Sequence, residues 1–445
     1  MRHLRLWFVV FTGLVILSLM TGACQSRPAP TPTPTKTPTP PATRAPATLP
    51  PTSTSAAHPQ PTILVATPTP TPLPPTFTPT PRPATATPTP IPPTATPAAA
   101  VTPSPSAPTP TWAAATPVPL PPRPDNVNPL TGQVVPDPAV LKRRPIHVRI
   151  GNDPKIRPQI GLNQADVIYE ELIDSLMDPQ HPEVIHSFMT RITGVFLSQD
   201  PVKVWPVRSA RLVSIALARE YHAALVHSGA SDGIRFRLKQ ARDAGEDFID
   251  LDEYYHPSIF TTHPEYDWRG SKSVNLQKTR AYLRAHGWEK AVPLRGFYFE
   301  ETPPPGGQPA TQIVIPYPKC CQVTWKYNAQ TGQYERYVRG EPHVDRADGQ
   351  IIAVSNVVVH FAKHENTDMI EDSAGSRGIR IYLDGEGEAW IFRDGRWYRA
   401  RWRHTDRYQM TEYLDMDGRP FPFKPGRTWI EFVPLNYDVQ VSGGS

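Results

Sequence analysis

The sequence predicts an α+β protein: an N-terminal mixed α/β part, then an antiparallel β-rich part, preceded by a disordered Pro/Thr stalk. Three observations carry this reading. From Gln25 to about Pro124, Pro, Thr and Ala dominate and aromatic residues almost vanish, and a segment so poor in apolar bulk cannot offset the entropy of ordering its backbone. Beyond it, up to about Ala285, strand-like apolar runs are mixed with capped helical stretches, which points to a layered α/β or α+β domain. From about Arg295 the strand-like runs are separated by turn signals and no helical period survives, which describes an antiparallel sheet.

The chain begins Met1-Arg-His-Leu-Arg5, followed by an apolar run from Leu6 to Met20 and then Thr21-Gly-Ala-Cys24. A basic start, a ~15-residue apolar core and small residues before a cysteine describe a secretory signal peptide over residues 1–23, since a stable membrane span wants about 20 apolar residues. Gly22 and Ala23 before Cys24 resemble a bacterial lipobox, which implies cleavage there and lipid attachment to the Cys24 sulfur; Thr21 departs from the Leu usual at that position. A lipid anchor of this kind ties the protein to the membrane without a spanning helix, on the outer face of the cytoplasmic membrane. Residues 24–124 form the stalk, whose Thr-Pro repeats at Thr31–Pro40 and Thr67–Pro72 fix φ and bias it towards extended polyproline II.

The 58 prolines of the 445-residue chain are concentrated in that stalk. Roughly 320 residues remain beyond it, enough for one large or two medium domains with proper cores. They divide at the change of texture into residues 125–292 and 293–445, the second half being either its own subdomain or part of one large sheet completed by the first. The formal charge of +5 is weak and dispersed, which argues against nucleic acid as a partner. Of three cysteines, only the adjacent Cys320 and Cys321 lie in the folded part; neighbours make a strained, uncommon disulfide. They read as strand residues, one buried and one exposed, with a vicinal redox pair as the alternative.

In chain order, Asn128-Pro-Leu-Thr-Gly132 opens the folded part with a turn. Strands are predicted over Ile146–Ile150, Val167–Ile173, Val184–Arg191 and Val202–Val207. Ser209 is predicted to cap a helix over Ala210–Tyr221, followed by a buried strand at Ala223–His227 and a helix from about Ile234 to Ala244. Ser273 is predicted to cap a third helix over Val274–Ala285, ended by Gly287. In the second half, turns are expected at Tyr327–Gly332, Asp348-Gly349, Asp384–Gly387, Asp394-Gly395, Asp417-Gly418 and Pro425-Gly426.

With those pieces in view, the chain resembles the YerB-like lipoproteins, a bacterial family for which no biochemical role is established. The resemblance covers nearly everything beyond the stalk. It rests on Asn128-Pro-Leu-Thr-Gly132, Asn152-Asp153 with Arg157-Pro-Gln159 and Gly161-Leu162, Ala165-Asp-Val-Ile-Tyr-Glu170, Pro206-Val-Arg-Ser-Ala-Arg211 and Val226-His227. In the second half it continues through Asn356-Val-Val-Val359, Gly385–Gly395 and Lys424–Pro434. Two departures stand out: the family's Gly-Gly-x-Thr-Arg stretch after the Tyr-Glu strand is replaced by an insertion around Asp178–Glu183, and its Pro-His-Asn run appears as Ser273-Val-Asn275.

The leading candidate for chemistry is Pro206-Val-Arg-Ser-Ala-Arg211. A helix starting at Ser209 would aim free N–H groups at whatever precedes it, and Arg208 and Arg211 would add forked donors suited to carboxylate or phosphate. The alternative is that Ser209 merely caps and the arginines pair with Asp166 or Glu170. Asn152, Asp153, Arg157 and Gln159 lie in a loop after a strand, where ligand groups gather but structural turns also form. With His227 from the resemblance, these make the expected ligand-binding set. No catalytic residue, cofactor or metal ligand is expected. Gly229-Ala-Ser-Asp-Gly233 matches G-x-S-x-G between a strand and a helix, but no βα repeats or His-Gly-Gly run accompany it, so Ser231 reads as a helix cap. His360 and His364 fall in a strand, which does not place them as a helix would. Arg396–Arg403 alternates a basic face with an apolar one, fit to meet an anionic wall polymer or lipid headgroup, to be solvated, or to protect a sheet edge. The sequence thus points to a non-catalytic binder of an anionic envelope component or a protein partner. The competing reading is an envelope hydrolase or transferase built on Ser231 or Asp153.

Overall fold

Strands buried on both faces carry no strict apolar/polar alternation, and three such strands form the centre of the main sheet. A computed structural model describes residues 117–443 apart from residues 177, 179 and 319. The leader, Cys24 and the stalk up to residue 116 lie outside the described residues. The described part is α+β. Its first half contributes β1 (Ile146–Gly151), β2 (Val167–Ser175), β3 (Ser187–Phe196), α1 (Leu212–Glu220), β4 (Ala224–His227), α2 (Asp232–Asp243), β5 (Ile249–Asp252) and α3 (Leu276–Ala285). The second half supplies β6 (Gln312–Ile315), β7 (Val323–Asn328), β8 (Gln333–Val338), β9 (Asn356–Ala362), β10 (His364–Ile370) and β11 (Arg377–Ile381). It continues with β12 (Gly385–Arg393), β13 (Arg396–His404), β14 (Glu412–Leu414), β15 (Thr428–Pro434) and β16 (Gln440–Ser442).

The main sheet runs β14-β13-β12-β9-β15-β2-β3-β1-β4-β5. Strands from both sides of residue 292 therefore share one sheet, joined where β15 pairs in parallel with β9 on one side and β2 on the other. Residues of β2, β9 and β15 are buried throughout. A second, antiparallel sheet carries β8-β7-β6-β16 and packs on β15, where the Trp325 and Trp429 rings meet edge to face with centroids 5.4 Å apart.

Several sequence expectations shift. Val202–Val207 forms no strand; it is extended and touches its neighbours only through single bridges at Val204, Trp205 and Val207. α1 starts at Leu212 with Arg211 in the capping position, and the Ser214 hydroxyl accepts from the Arg211 N–H at 2.9 Å. Ser209 is no cap: its hydroxyl donates to the Ser228 carbonyl at 3.2 Å. Asn275, not Ser273, caps α3, because Ser273 is spent in the short strand Lys272–Val274. Cys320 and Cys321 occupy a turn between β6 and β7 rather than a strand, Cys321 buried and Cys320 partly so. β13 is not an edge, since β12 and β14 flank it. Of its basic face, Arg399 meets Glu388 at 2.8 Å and Arg403 meets Glu412 at 2.7 Å.

Candidate functional site

β1 ends on Gly151, and nothing larger fits there: a Cβ would stand 2.7 Å from both Arg208 Cγ and Ile156 Cδ1. The Arg208 side chain therefore lies across the strand end. The following turn is set by Asp153, whose carboxylate accepts from the Lys155 N–H at 2.8 Å and caps a short 3-10 helix, Pro154–Ile156. The segment 206–208 is laced to β1 by Gly151 N–H to Pro206 O at 3.0 Å and Arg208 N–H to Arg149 O at 2.8 Å.

These elements wall a cavity of about 520 Å³ together with Asp174 from β2, Phe188 and Arg191 from β3, the loop residues Trp268 and Arg269, and Glu371 and Asp372 after β10. Of the expected ligand-binding set, Asn152, Asp153, Arg208, Ser209 and Arg211 line it. The other three are held elsewhere. Arg157 turns inward to the carbonyls of Asn152 and Cys320, at 2.7 and 2.8 Å. Gln159 is buried, donating to Gly151 O at 2.9 Å while its Oε1 meets His343 Nε2 at 2.6 Å. His227 lies between Gly229 O at 2.9 Å and Asp250 at 2.8 Å. Asn152 is itself a junction, donating to Glu170 at 3.0 Å and Thr190 at 2.8 Å.

The cations of the cavity divide into two kinds. Arg211 is committed: its fork grips Asp174 at 2.6 and 2.7 Å, so the internal partner is Asp174 rather than Asp166 or Glu170. Burial would raise the Asp174 carboxyl, and Arg211 overrides it to hold the group below its ordinary range. Arg269 is also committed, to Asp153 at 3.1 Å. Arg191 and Arg208 are not. Arg191 is 3% exposed, yet it donates only to the Ser209 carbonyl at 3.0 Å, its Nε has no partner, and no carboxylate pairs with it among the described residues. Burial first, then the neighbouring Arg211, Arg208 and Arg149, push its pKa well down. Arg208 donates to Trp268 O at 2.8 Å and stacks 4.5 Å from that ring's centroid; burial, then Arg211, lowers it to about 10. Of the acids on the far wall, Asp372 accepts from the Ala374 and Ser376 N–H groups, each at 3.0 Å. Burial raises Glu371, against the pull of Arg211.

Arg191 was not singled out from the sequence. It stands at the end of the predicted strand Val184–Arg191, within β3 and beyond the insertion around Asp178–Glu183. Its signal was a charged residue amid a strand's apolar run. Ser231 caps α2, accepting from the Ile234 N–H at 3.4 Å. Among the described residues no histidine hydrogen-bonds it.

The fold and cavity define an α+β protein with a partly buried, arginine-rich pocket built where a long mixed sheet meets its loops. Residues 130–288 match the N-terminal domain, and residues 313–430 the C-terminal domain, of the family described as "Protein of unknown function (DUF3048)". The chain belongs to that family. It is 29% identical over 331 residues, spanning 71% of this chain and 88% of the relative, to "Putative lipoprotein YerB" of Bacillus subtilis strain 168. It also resembles the crystal structure of YerB from Bacillus subtilis, with a TM-score of 0.57 and 25% identity, over 70% of this chain and 98% of that one.

Proposed function

We propose that the protein is a membrane-tethered extracytoplasmic lipoprotein whose folded part binds an anionic envelope component, without catalysing a reaction, where Arg191 and Arg208 converge. Arg191 carries the reading. A guanidinium buried without an ion-pair partner is costly, and a carboxylate or phosphate entering the cavity would pair with it and accept forked hydrogen bonds from both arginines. The leader, Cys24 and the name of the Bacillus relative support tethering on the outer face of the cytoplasmic membrane. From there a wall polymer, a lipid headgroup or an acidic protein partner is within reach of the stalk. The hydrolase or transferase alternative is less well supported: Ser231 is engaged as a helix cap, and the Asp153 carboxylate is occupied by Arg269 and the Lys155 N–H.

The test is a thermal-shift screen of the purified protein against inorganic phosphate, wall fragments and lipid headgroups. An anion present at ~100 times its Kd adds about 2.7 kcal/mol, and Arg208→Ala should abolish the shift. If no anionic compound raises the melting temperature, or Arg208→Ala keeps the shift intact, the reading fails.

A further inference from the structure

Behind the wall of the cavity lies the turn that holds Cys320 and Cys321. Their sulfurs stand 2.9 Å apart, about an ångström beyond the ~2.05 Å of a formed disulfide. The Cys320 sulfur also stands 2.7 Å from the Phe188 carbonyl oxygen, and Arg157 Nη2 sits 3.3 Å from Cys321 Sγ and 2.8 Å from the Cys320 carbonyl. Cys321 is buried, whereas Cys320 is partly exposed. A guanidinium fixed against one of two touching thiols is an arrangement that a purely space-filling pair does not need.

We propose that Cys320 and Cys321 are a reversible dithiol–disulfide site, oxidised by exchange with an external disulfide. The inference does not rest on the anion reading. The thiolate is the reactive form, and this pair favours it. The Cys320 S–H donates to the Cys321 sulfur and Arg157 faces the resulting charge, which lowers the Cys321 thiol against the opposing effect of burial; Cys320, as the donor, is raised. The accessible sulfur is Cys320. With Cys321 first ionised and its proton released to solvent, the Cys320 proton passes to Cys321 along the S···S contact and Cys320 attacks one sulfur of an external disulfide RS–SR, forming a mixed disulfide and releasing RS⁻. Cys321 then loses its proton and attacks Cys320 Sγ, expelling the second RS⁻. Two thiols are oxidised, one external disulfide is reduced to two RSH, and the two thiol protons end on them. Closure is reversible because the Cα atoms of adjacent residues are about 3.8 Å apart, short of the ~4.4–6.8 Å a relaxed disulfide spans, and strained disulfides are the readily reduced ones.

The experiment equilibrates the purified full chain in buffers of reduced and oxidised glutathione, traps free thiols by alkylation, and weighs the peptide containing both cysteines. In the oxidising buffer that peptide should lose the mass of two hydrogens and take no alkyl group, and returning the sample to the reducing buffer should restore two alkylatable thiols. Cys321→Ser should instead hold glutathione on Cys320. In urea at the same glutathione ratio, ring closure should fall about tenfold, a difference of about 1.4 kcal/mol. Two alkylated cysteines in the oxidising buffer, a bond to a second chain, or equal closure in urea would overturn the proposal.

Discussion

Replacing Arg191 with methionine separates the cost of the cavity from its use. The guanidinium is almost fully buried, with one hydrogen bond and no ion pair among the described residues. A buried polar group left partly unsatisfied costs about 1–3 kcal/mol, and exchanging buried charge for an apolar side chain of similar volume often gains ~1–4 kcal/mol. Methionine keeps the length and flexibility needed to fill the space. A gain of about 1–2 kcal/mol in a protein of this size is roughly 1.5–3 °C in Tm. The expected outcome is therefore a variant that melts higher than the native protein in buffer alone and no longer responds to the anion that stabilises the native protein. Differential scanning fluorimetry with and without that anion reads both effects. If Arg191→Met melts several degrees lower in buffer and retains the anion response, Arg191 is a structural brace and the reasoning is refuted.

Three further outcomes follow from named contacts. Burial, then Glu170, raises Glu431 from 4.5 to about 8 in the folded protein. A raised carboxyl contributes stability that is complete below the unfolded pKa and lost as pH climbs through the folded one, so urea midpoints should fall by the equivalent of a few kcal/mol between pH ~5 and ~8. Glu431→Gln should flatten that profile, and an unchanged slope would assign it to other groups. Gly151→Ala should cost about 1–3 kcal/mol by overpacking and weaken the anion response, because the new methyl would stand 2.7 Å from Arg208 Cγ; a variant with native Tm and native response contradicts the close approach. Ser231→Ala should lower stability by ~1 kcal/mol through loss of the α2 cap and leave esterase and amidase assays unmoved, whereas a lost activity would revive the hydrolase reading.

The strands that the chain announces through apolar runs are legible: β1, β2 and β4 lie where Ile146–Ile150, Val167–Ile173 and Ala223–His227 place them. Boundaries decided by a tertiary neighbour are not. Ser209 has a capping residue's chemistry, but its hydroxyl goes to Ser228 and the helix begins three residues later. Val202–Val207 has strand composition, yet it meets separate partners at single residues and forms no ladder. The Pro206–Arg211 motif and the Asn152-Asp153 turn pointed to the cavity because a strand end and a helix approach are where loops converge. Trp268 and Arg269 arrive from a loop remote in sequence, and only the fold brings them in. Arg157 and Gln159 looked like ligand groups because a buried network and an open site use the same polar residues. Their partners tell the two apart: Arg157 is spent on the Asn152 and Cys320 carbonyls, and Gln159 on Gly151 and His343.

The account turns on two guanidiniums being left for a ligand. Titration calorimetry of the wild-type protein and of Arg208→Ala, with the most stabilising anion from the screen and at two salt concentrations, tests this most directly. The account predicts one saturable site in the wild type, weakened by added salt, and at least about a tenfold loss of affinity, ~1.4 kcal/mol, in the variant. Equal affinity in both proteins, or no heat beyond dilution in the wild type, would contradict it.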